Sequence, residues 1–217
     1  MRDHADMIAN LNPAVPLIAN ADTGYGGPAM VAYTVEAYHR SGVAGLHIED
    51  QIQTKRCGHL SGKSVVDNST FLQRIRAVVQ ARQRIGSGLV VIARTDALQT
   101  HGFGEALARL KAAVAAGAGV AFLEGVTNAG EAKQACRSLA PTPVLLKMVE
   151  HGATPSWTPT EAKTSGFKLL IFPFAAIGPA YSPIKDTYSR IKEKGRTGLN
   201  PSFTPKRLFT IVGLNEA

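Results

Sequence analysis

Several things are scarce in this sequence, and each shortage removes a class of protein. No apolar run in the 217 residues approaches the roughly 20 that a membrane-spanning helix needs. The opening segment MRDHADMIANL has no apolar core of the signal-peptide kind. A soluble, cytoplasmic protein with no membrane partner is therefore expected. Only Cys57 and Cys136 are present, which rules out a disulfide framework. Cys136 lies in the helical pattern EAKQACRSL and reads as a small buried apolar residue. There is no linker or low-complexity block, so residues 1–217 are expected to form one domain around one sizeable core. Clustered basic charge is also lacking. The net charge is +8 and the pI about 9.7, yet the basic residues are spread out, with some density only between Lys185 and Arg207. That segment reads as a solvated helix and tail, and no nucleic-acid partner is expected. A positive balance suits a small anion.

What is abundant is alternation. Apolar, β-rich runs at 15–19, 45–48, 89–93, 120–123, 144–146 and 169–172 are separated by helical patterns. Helices are expected at 28–40, opening at a proline after two glycines, at 68–84, stopping before Gly86, and at 104–116, stopping at Gly117. Nearly continuous apolar strands between amphipathic helices predict a parallel sheet covered by helices. The fold class is thus α/β, of the TIM-type (β/α) barrel or open-sheet kind. Six strands are visible where a complete barrel has eight.

Residues able to do chemistry recur at or just after the strand ends. They are Asn20 and Asp22, Glu49 and Asp50, Arg94 and Asp96, Glu124, and Lys147 and Glu150. The carboxyl ends of parallel strands share one face, so these groups are expected to gather around one site. The richest stretch is GLHIEDQIQTKRCGHLSGK at 45–63, where a strand ends in two carboxylates and runs into a cationic loop holding Cys57 and His59. Neighbouring cations favour thiolate over thiol, which fits Cys57 for proton transfer or nucleophilic attack. His47, between Leu46 and Ile48 on a strand, reads as a structural histidine.

These residues, taken in order, resemble the isocitrate lyase and phosphoenolpyruvate mutase superfamily, most closely its branch of 2,3-dimethylmalate lyases and oxaloacetate hydrolases. The resemblance runs through ADTGYGGP at 21–28, HIEDQ at 47–51, KRCGH at 55–59, IARTDALQTHG at 92–102, FLEG at 122–125, MVEHGATP at 148–155 and IFPFAAIGPA at 171–180. It implies a β/α barrel in a homo-oligomer, dimer or tetramer, and Mg²⁺ held by strand-end carboxylates. By position, Asp22 and Glu49 would be metal carboxylates. Arg94 would hold a substrate carboxylate, with Glu124, Gly58 and Tyr25 also lining the substrate, and Cys57 would protonate the enolate-like product. His59 and Lys147 complete the catalytic candidates.

The resemblance has three departures. The family's first metal carboxylate falls at Asn20, and its asparagine before MVE falls at Lys147. Together these add two positive charges where the metal is expected, and a unit pair at 4 Å is worth roughly 4 kcal/mol at an effective dielectric of 20. That disfavours Mg²⁺, and Lys147 itself is a candidate to replace it. The third departure is that the family's first two βα units would precede Met1. Two sheet edges would then need covering, by a partner subunit or in part by residues 1–11. Ala175 and Ala176 offer no hydroxyl for a hydrated keto group, which lowers oxaloacetate hydrolysis among the options. Three functions stay open: a carbon–carbon lyase for a small 2-hydroxy or 2-oxo dicarboxylate, a metal-independent biosynthetic enzyme working by acid–base chemistry, and a non-catalytic paralogue.

Overall fold

The structure is a computed structural model describing residues 1–58, 60–152 and 154–214. It comprises two compact units, Met1–Phe172 and Pro173–Ala217. The first unit opens with helix α1 (Arg2–Ala9) and then alternates strands with helices: β1 (Ile18–Asn20), α2 (Pro28–Arg40), β2 (Gly45–Glu49), α3 (Asn68–Arg84), β3 (Val90–Thr95), α4 (Leu98–Ala115), β4 (Val120–Leu123), α5 (Ala129–Leu139), β5 (Val144–Lys147), α6 (Pro159–Ser165) and β6 (Leu169–Ile171). All six strands are parallel and lie in chain order, forming a curled part-barrel.

The period-2 geometry of a strand divides its side chains between two faces, and here the two faces differ sharply. One face carries Leu46, Ile48, Val91 and Ala93, which pack with Val35, Phe71, Ile75 and Val78 of α2 and α3. Farther along, Ala121, Leu123, Val144 and Leu146 pack with Leu110, Ala135 and Leu139 of α4 and α5. Fully burying one such leucine or isoleucine stabilises by about 1.5–3 kcal/mol, so this seam accounts for the covering of the sheet by helices. The other face has a small apolar floor of Ile92, Val120, Phe122 and Leu145, against which Leu169 and Ile171 pack.

Local chemistry sets most element boundaries. Asp67 caps α3 by accepting from the Thr70 amide at 2.9 Å, and Thr158 with Glu161 forms a capping box on α6. Two expectations need correcting. The first strand begins at Ile18 rather than at 15, because the Val15 amide is used in a turn to Asn12 O and Pro16 has no amide to give. Helix α4 begins at Leu98 rather than at 104, as an initial turn joined to the main body through Gly102, whose φ of 80° costs glycine no steric strain.

The second unit contains α7 (Ile177–Lys194) and α8 (Pro205–Ile211). In α7, Ile177, Tyr181, Ile184, Tyr188 and Ile191 alternate at spacings of four and three, which places them on one stripe. Among the described residues, no helix is long and apolar enough to cross a membrane.

Candidate active site at the strand ends

On the face opposite the helices, the alternation that buries Leu46 and Ile48 turns His47 and Glu49 inward. The parallel register then places Glu49 beside Arg94. Glu49, Arg94, Glu124 and Lys147 are all buried, and their charges alternate in sign from strand to strand. Arg94 lies 3.4 Å from Glu49 Oε2 and 3.5 Å from Glu124 Oε2, and Lys147 pairs with Glu124 Oε1. The other edge of the guanidinium is a two-point contact with Asp96, Nε to Oδ2 at 2.9 Å and Nη2 to Oδ1 at 3.1 Å. The guanidinium also stands 5.2 Å over the Phe122 ring.

The loop after β2 supplies two more cations. Lys55 pairs with Asp22 and lies 3.3 Å from Glu49 Oε1, so one ammonium bridges the two carboxylates expected to hold metal. Lys63, with its side chain buried, donates to Asp96 Oδ1 at 2.8 Å and to the Gly58 carbonyl at 3.1 Å. Four carboxylates (Asp22, Glu49, Asp96, Glu124) thus face four cations (Lys55, Lys63, Arg94, Lys147), and their formal charges cancel.

Burial and neighbours push the titrating groups in identifiable directions. Burial raises the Glu49 pKa, against the pull of Arg94 and Lys55. Burial works against charge on Arg94 and Lys55 too, but Glu124, Asp96 and Glu49 outweigh it for Arg94, and Asp22 and Glu49 outweigh it for Lys55, so both move up. Burial, with Arg94 and Lys55 behind it, drops His47 from 6.5 to about 3, leaving the ring neutral. His47 Nδ1, both oxygens of Glu49 and Glu124 Oε2 are buried without a hydrogen-bond partner. Such acceptors normally have partners, and here three of the four are carboxylate oxygens within ion-pair reach of Lys55 or Arg94.

The expected site residues fall into three groups. Asp22, Glu49, Arg94, Glu124 and Lys147 belong to this cluster, and Gly58 lies directly on it. A Cβ at Gly58 would come within 2.6 Å of Glu124 Oε1 and 2.7 Å of Arg94 Nη2. Cys57, exposed, therefore sits one residue from the cluster. Tyr25 borders the cluster next to Asp22, its hydroxyl 3.4 Å from Asn20 O and 3.1 Å from the Tyr38 hydroxyl. His59 lies outside the described residues. Asn20 braces Asp22, accepting from its amide at 2.8 Å and donating to Oδ1 at 3.1 Å. Two strand-end acids are not part of the cluster. Asp50 accepts from Thr95 Oγ1, the Asp96 amide and Arg109, and Glu150 is exposed.

The lysine on the Asp22–Glu49 pair is Lys55, whereas Lys147, the residue considered for that place, is engaged by Glu124. Lys63 enters the cluster without having been singled out in the sequence, Lys55 was expected only as a loop cation, and His47, read as structural, is a buried neutral ring against Phe122. Phase alone could have found His47, since it shares the parity of Glu49. The two lysines gave no local signal, because their partners lie on other strands.

A curled parallel β/α sheet with a buried, charge-balanced cluster at its carboxyl ends defines a β/α-barrel type of small-molecule site. The chain belongs to the phosphoenolpyruvate phosphomutase family, whose model matches residues 1–192. It is 59% identical to a 2,3-dimethylmalate lyase of known structure, described as a member of the PEP mutase/isocitrate lyase superfamily, with a TM-score of 0.97 over 99% of this chain and 71% of that one. An oxaloacetate acetylhydrolase bound to the inhibitor 3,3-difluorooxalacetate is 55% identical, with a TM-score of 0.95 over 99% of this chain and 72% of that one. The 2-methylisocitrate lyase of Aeropyrum pernix is 33% identical over 204 residues, which are 93% of this chain and 65% of that protein. The chain therefore spans about two thirds of the length of such relatives.

Proposed function

We propose that this protein is a lyase that breaks the carbon–carbon bond between C2 and C3 of a small 2-hydroxy dicarboxylate, the class to which the substrate named in the relative 2,3-dimethylmalate lyase belongs. The observation that carries this reading is the buried cluster at the strand ends, covered by the Cys57–Gly58 turn. Arg94 and Lys147 receive the two carboxylates of the substrate, the guanidinium as a planar fork and the ammonium as a point charge. The C2 hydroxyl proton goes to a carboxylate of the cluster. Glu124 Oε2, buried, without a hydrogen bond and held only by the 3.5 Å ion pair to Arg94, is the acceptor with capacity for it. The O–H electron pair becomes C2=O, the C2–C3 bond breaks, and its pair rests on C3 as the enolate of the second carboxylate. Cys57 returns a proton to C3, and solvent restores the thiol. The products are a 2-oxo acid and a saturated carboxylic acid.

A Mg²⁺ ion fits the donor set in one arrangement. Among the described residues, no three His, Cys, Asp or Glu side chains are grouped to hold a metal. Asp22 and Glu49 nonetheless converge on one ammonium, and both Glu49 oxygens lack hydrogen bonds. Two carboxylates with several waters is an ordinary Mg²⁺ environment, and these two residues would hold the ion once Lys55 withdraws. Bound there, it would supply Lewis-acid stabilisation of the C2 oxygen. A second, metal-independent reading rests on the Lys55 contact itself, since an ammonium between those carboxylates can stabilise the same oxygen. Turnover in excess chelator separates the two readings.

The decisive assay is release of a 2-oxo acid from 2,3-dimethylmalate or 2-methylisocitrate. Cys57→Ser should lower turnover by about 10²–10⁴-fold, while calorimetry still detects oxalate binding. Unchanged turnover would remove Cys57 from the reaction. In the same reading the protein is cytoplasmic and self-associates to cover β1 and β6, each of which pairs on one side only. A monomer in light scattering would refute that assembly.

A further inference from the structure

We propose that Lys63 is a positioning residue that holds the Cys57–Gly58 turn on top of Arg94 and Glu124, and thereby sets the thiol over the substrate carbon. The lyase reading above supplies the role of the thiol. The placement of the turn stands on contacts alone.

The loop after β2 is anchored at its base. The Ile52 amide donates to Ser64 O at 3.0 Å, and the Val66 amide to Asp50 O at 2.8 Å. Its middle is held by Gln51, whose amide side chain accepts from the Arg56 amide and donates to Arg56 O, both at 3.0 Å. Neither anchor places the turn at 57–58, which closes on itself through the Leu60 amide and Cys57 O at 2.9 Å. Lys63 makes the connection. Its ammonium reaches Gly58 O on one side and Asp96 Oδ1 on the other.

Asp96 is not a neutral anchor, because the same carboxylate grips Arg94 through Nε and Nη2. A continuous chain of charge-assisted bonds therefore runs from the Gly58 carbonyl through Lys63 and Asp96 to the guanidinium that would receive the substrate. The ammonium is buried, so its bonds are not exchanged cheaply for water. Gly58 is the residue the geometry demands at the other end. Any side chain there would collide with Glu124 and Arg94, which shows how closely the turn lies on them. The competing account is that Lys63 merely neutralises buried Asp96. Arg94 already pairs with Asp96, and neutralisation alone does not require the bond to Gly58 O.

Two variants test this. In Lys63→Met, hydrogen–deuterium exchange of the 52–63 amides should rise about tenfold while α3 stays unchanged, since only the loop loses an anchor. With 2,3-dimethylmalate as substrate, kcat should fall about 100-fold, the cost of misplacing a reacting group, and KM should stay within about threefold. Lys63→Arg, able to donate to both partners, should restore slow loop exchange. Gly58→Ala keeps the Lys63–Asp96 pair but forces the turn away, and should give the same loop exchange with wild-type stability to urea. Should Lys63→Met not fold, Gly58→Ala decides. Wild-type loop exchange in either folded variant overturns the proposal. If the wild-type protein turns over no 2-hydroxy dicarboxylate, the lyase reading fails, and the exchange measurements still decide what Lys63 does.

Discussion

Glu49 and Asp50 are adjacent acids at the end of one strand, and they live in opposite worlds. Asp50 lies toward the helices and its oxygens are filled by Thr95 Oγ1 at 2.6 Å, the Asp96 amide at 2.9 Å and Arg109 at 3.2 Å. Arg109 in turn donates to Val66 O at 2.7 Å, so this acid ties β2, β3, α4 and the loop base together. Glu49 faces the other way and has ion pairs at 3.3 and 3.4 Å but no hydrogen bond on either oxygen. Burial pushes the pKa of both acids up, so the direction of the shift does not tell them apart. The hydrogen-bond inventory does. A buried acid with both oxygens hydrogen-bonded is spent on architecture, whereas one whose oxygens meet only ion-pair partners keeps acceptor capacity.

The largest effect that sharpens this contrast is Asp50→Asn, which removes the buried charge facing Arg109 and leaves it Val66 O and the exposed carboxylate of Glu105. Unfolding in urea should show a loss of about 3–5 kcal/mol, the usual cost of breaking a buried pair from one side. A loss below 1 kcal/mol would show that Asp50 is not structural.

Next comes the pH dependence of the site floor. His47 titrates near 6.5 when unfolded and near 3 when folded, so below pH 6.5 the unfolded chain binds the extra proton. Its contribution is full above pH 6.5 and is lost as pH falls toward 3, at up to about 1.4 kcal/mol per pH unit. Replacing His47 with Phe should flatten that part of the urea-midpoint profile against pH.

A comparable free energy governs Lys55. Removing its ammonium in Lys55→Met should tighten Mg²⁺ binding about tenfold, or roughly 1.4 kcal/mol, by calorimetry. Unchanged affinity would mean that the ion does not use Asp22 and Glu49. The smallest effect is on the stability of Glu49→Gln. Because Glu49 is already destabilised by burial, its neutralisation should change the unfolding free energy in urea by less than about 1 kcal/mol. The same variant should abolish Mg²⁺ binding, reversing the pattern seen for Asp50.

Much of this was legible in the chain. The apolar runs of β2, β3, β4 and β5 mark buried parallel strands because both faces near their centres exclude water. Gly86 marks where α3 must stop, and the bounds expected for that helix, 68–84, are the ones observed. The clustering of Asp22, Glu49, Arg94, Glu124 and Lys147 was also readable, since parallel strands bring their carboxyl ends to one face. What escaped was pairing across the sheet. Lys55 is described by sequence as one cation in a polar loop, and its bridge between Asp22 and Glu49 exists only because β1 and β2 lie side by side. Lys63 and Asp96 are 33 residues apart and meet only through the fold.

By itself the amino-acid order determined the number and order of strands, the helices that cover them and the kind of chemistry gathered at the strand ends. These follow from periodicity and local capping, which act over a few residues. Tertiary structure alone decided which acid is spent on architecture and which is left unfilled, and which lysine meets which carboxylate. Those choices depend on distances between segments remote in the chain and on burial, which makes each unmatched charge costly enough to select its partner.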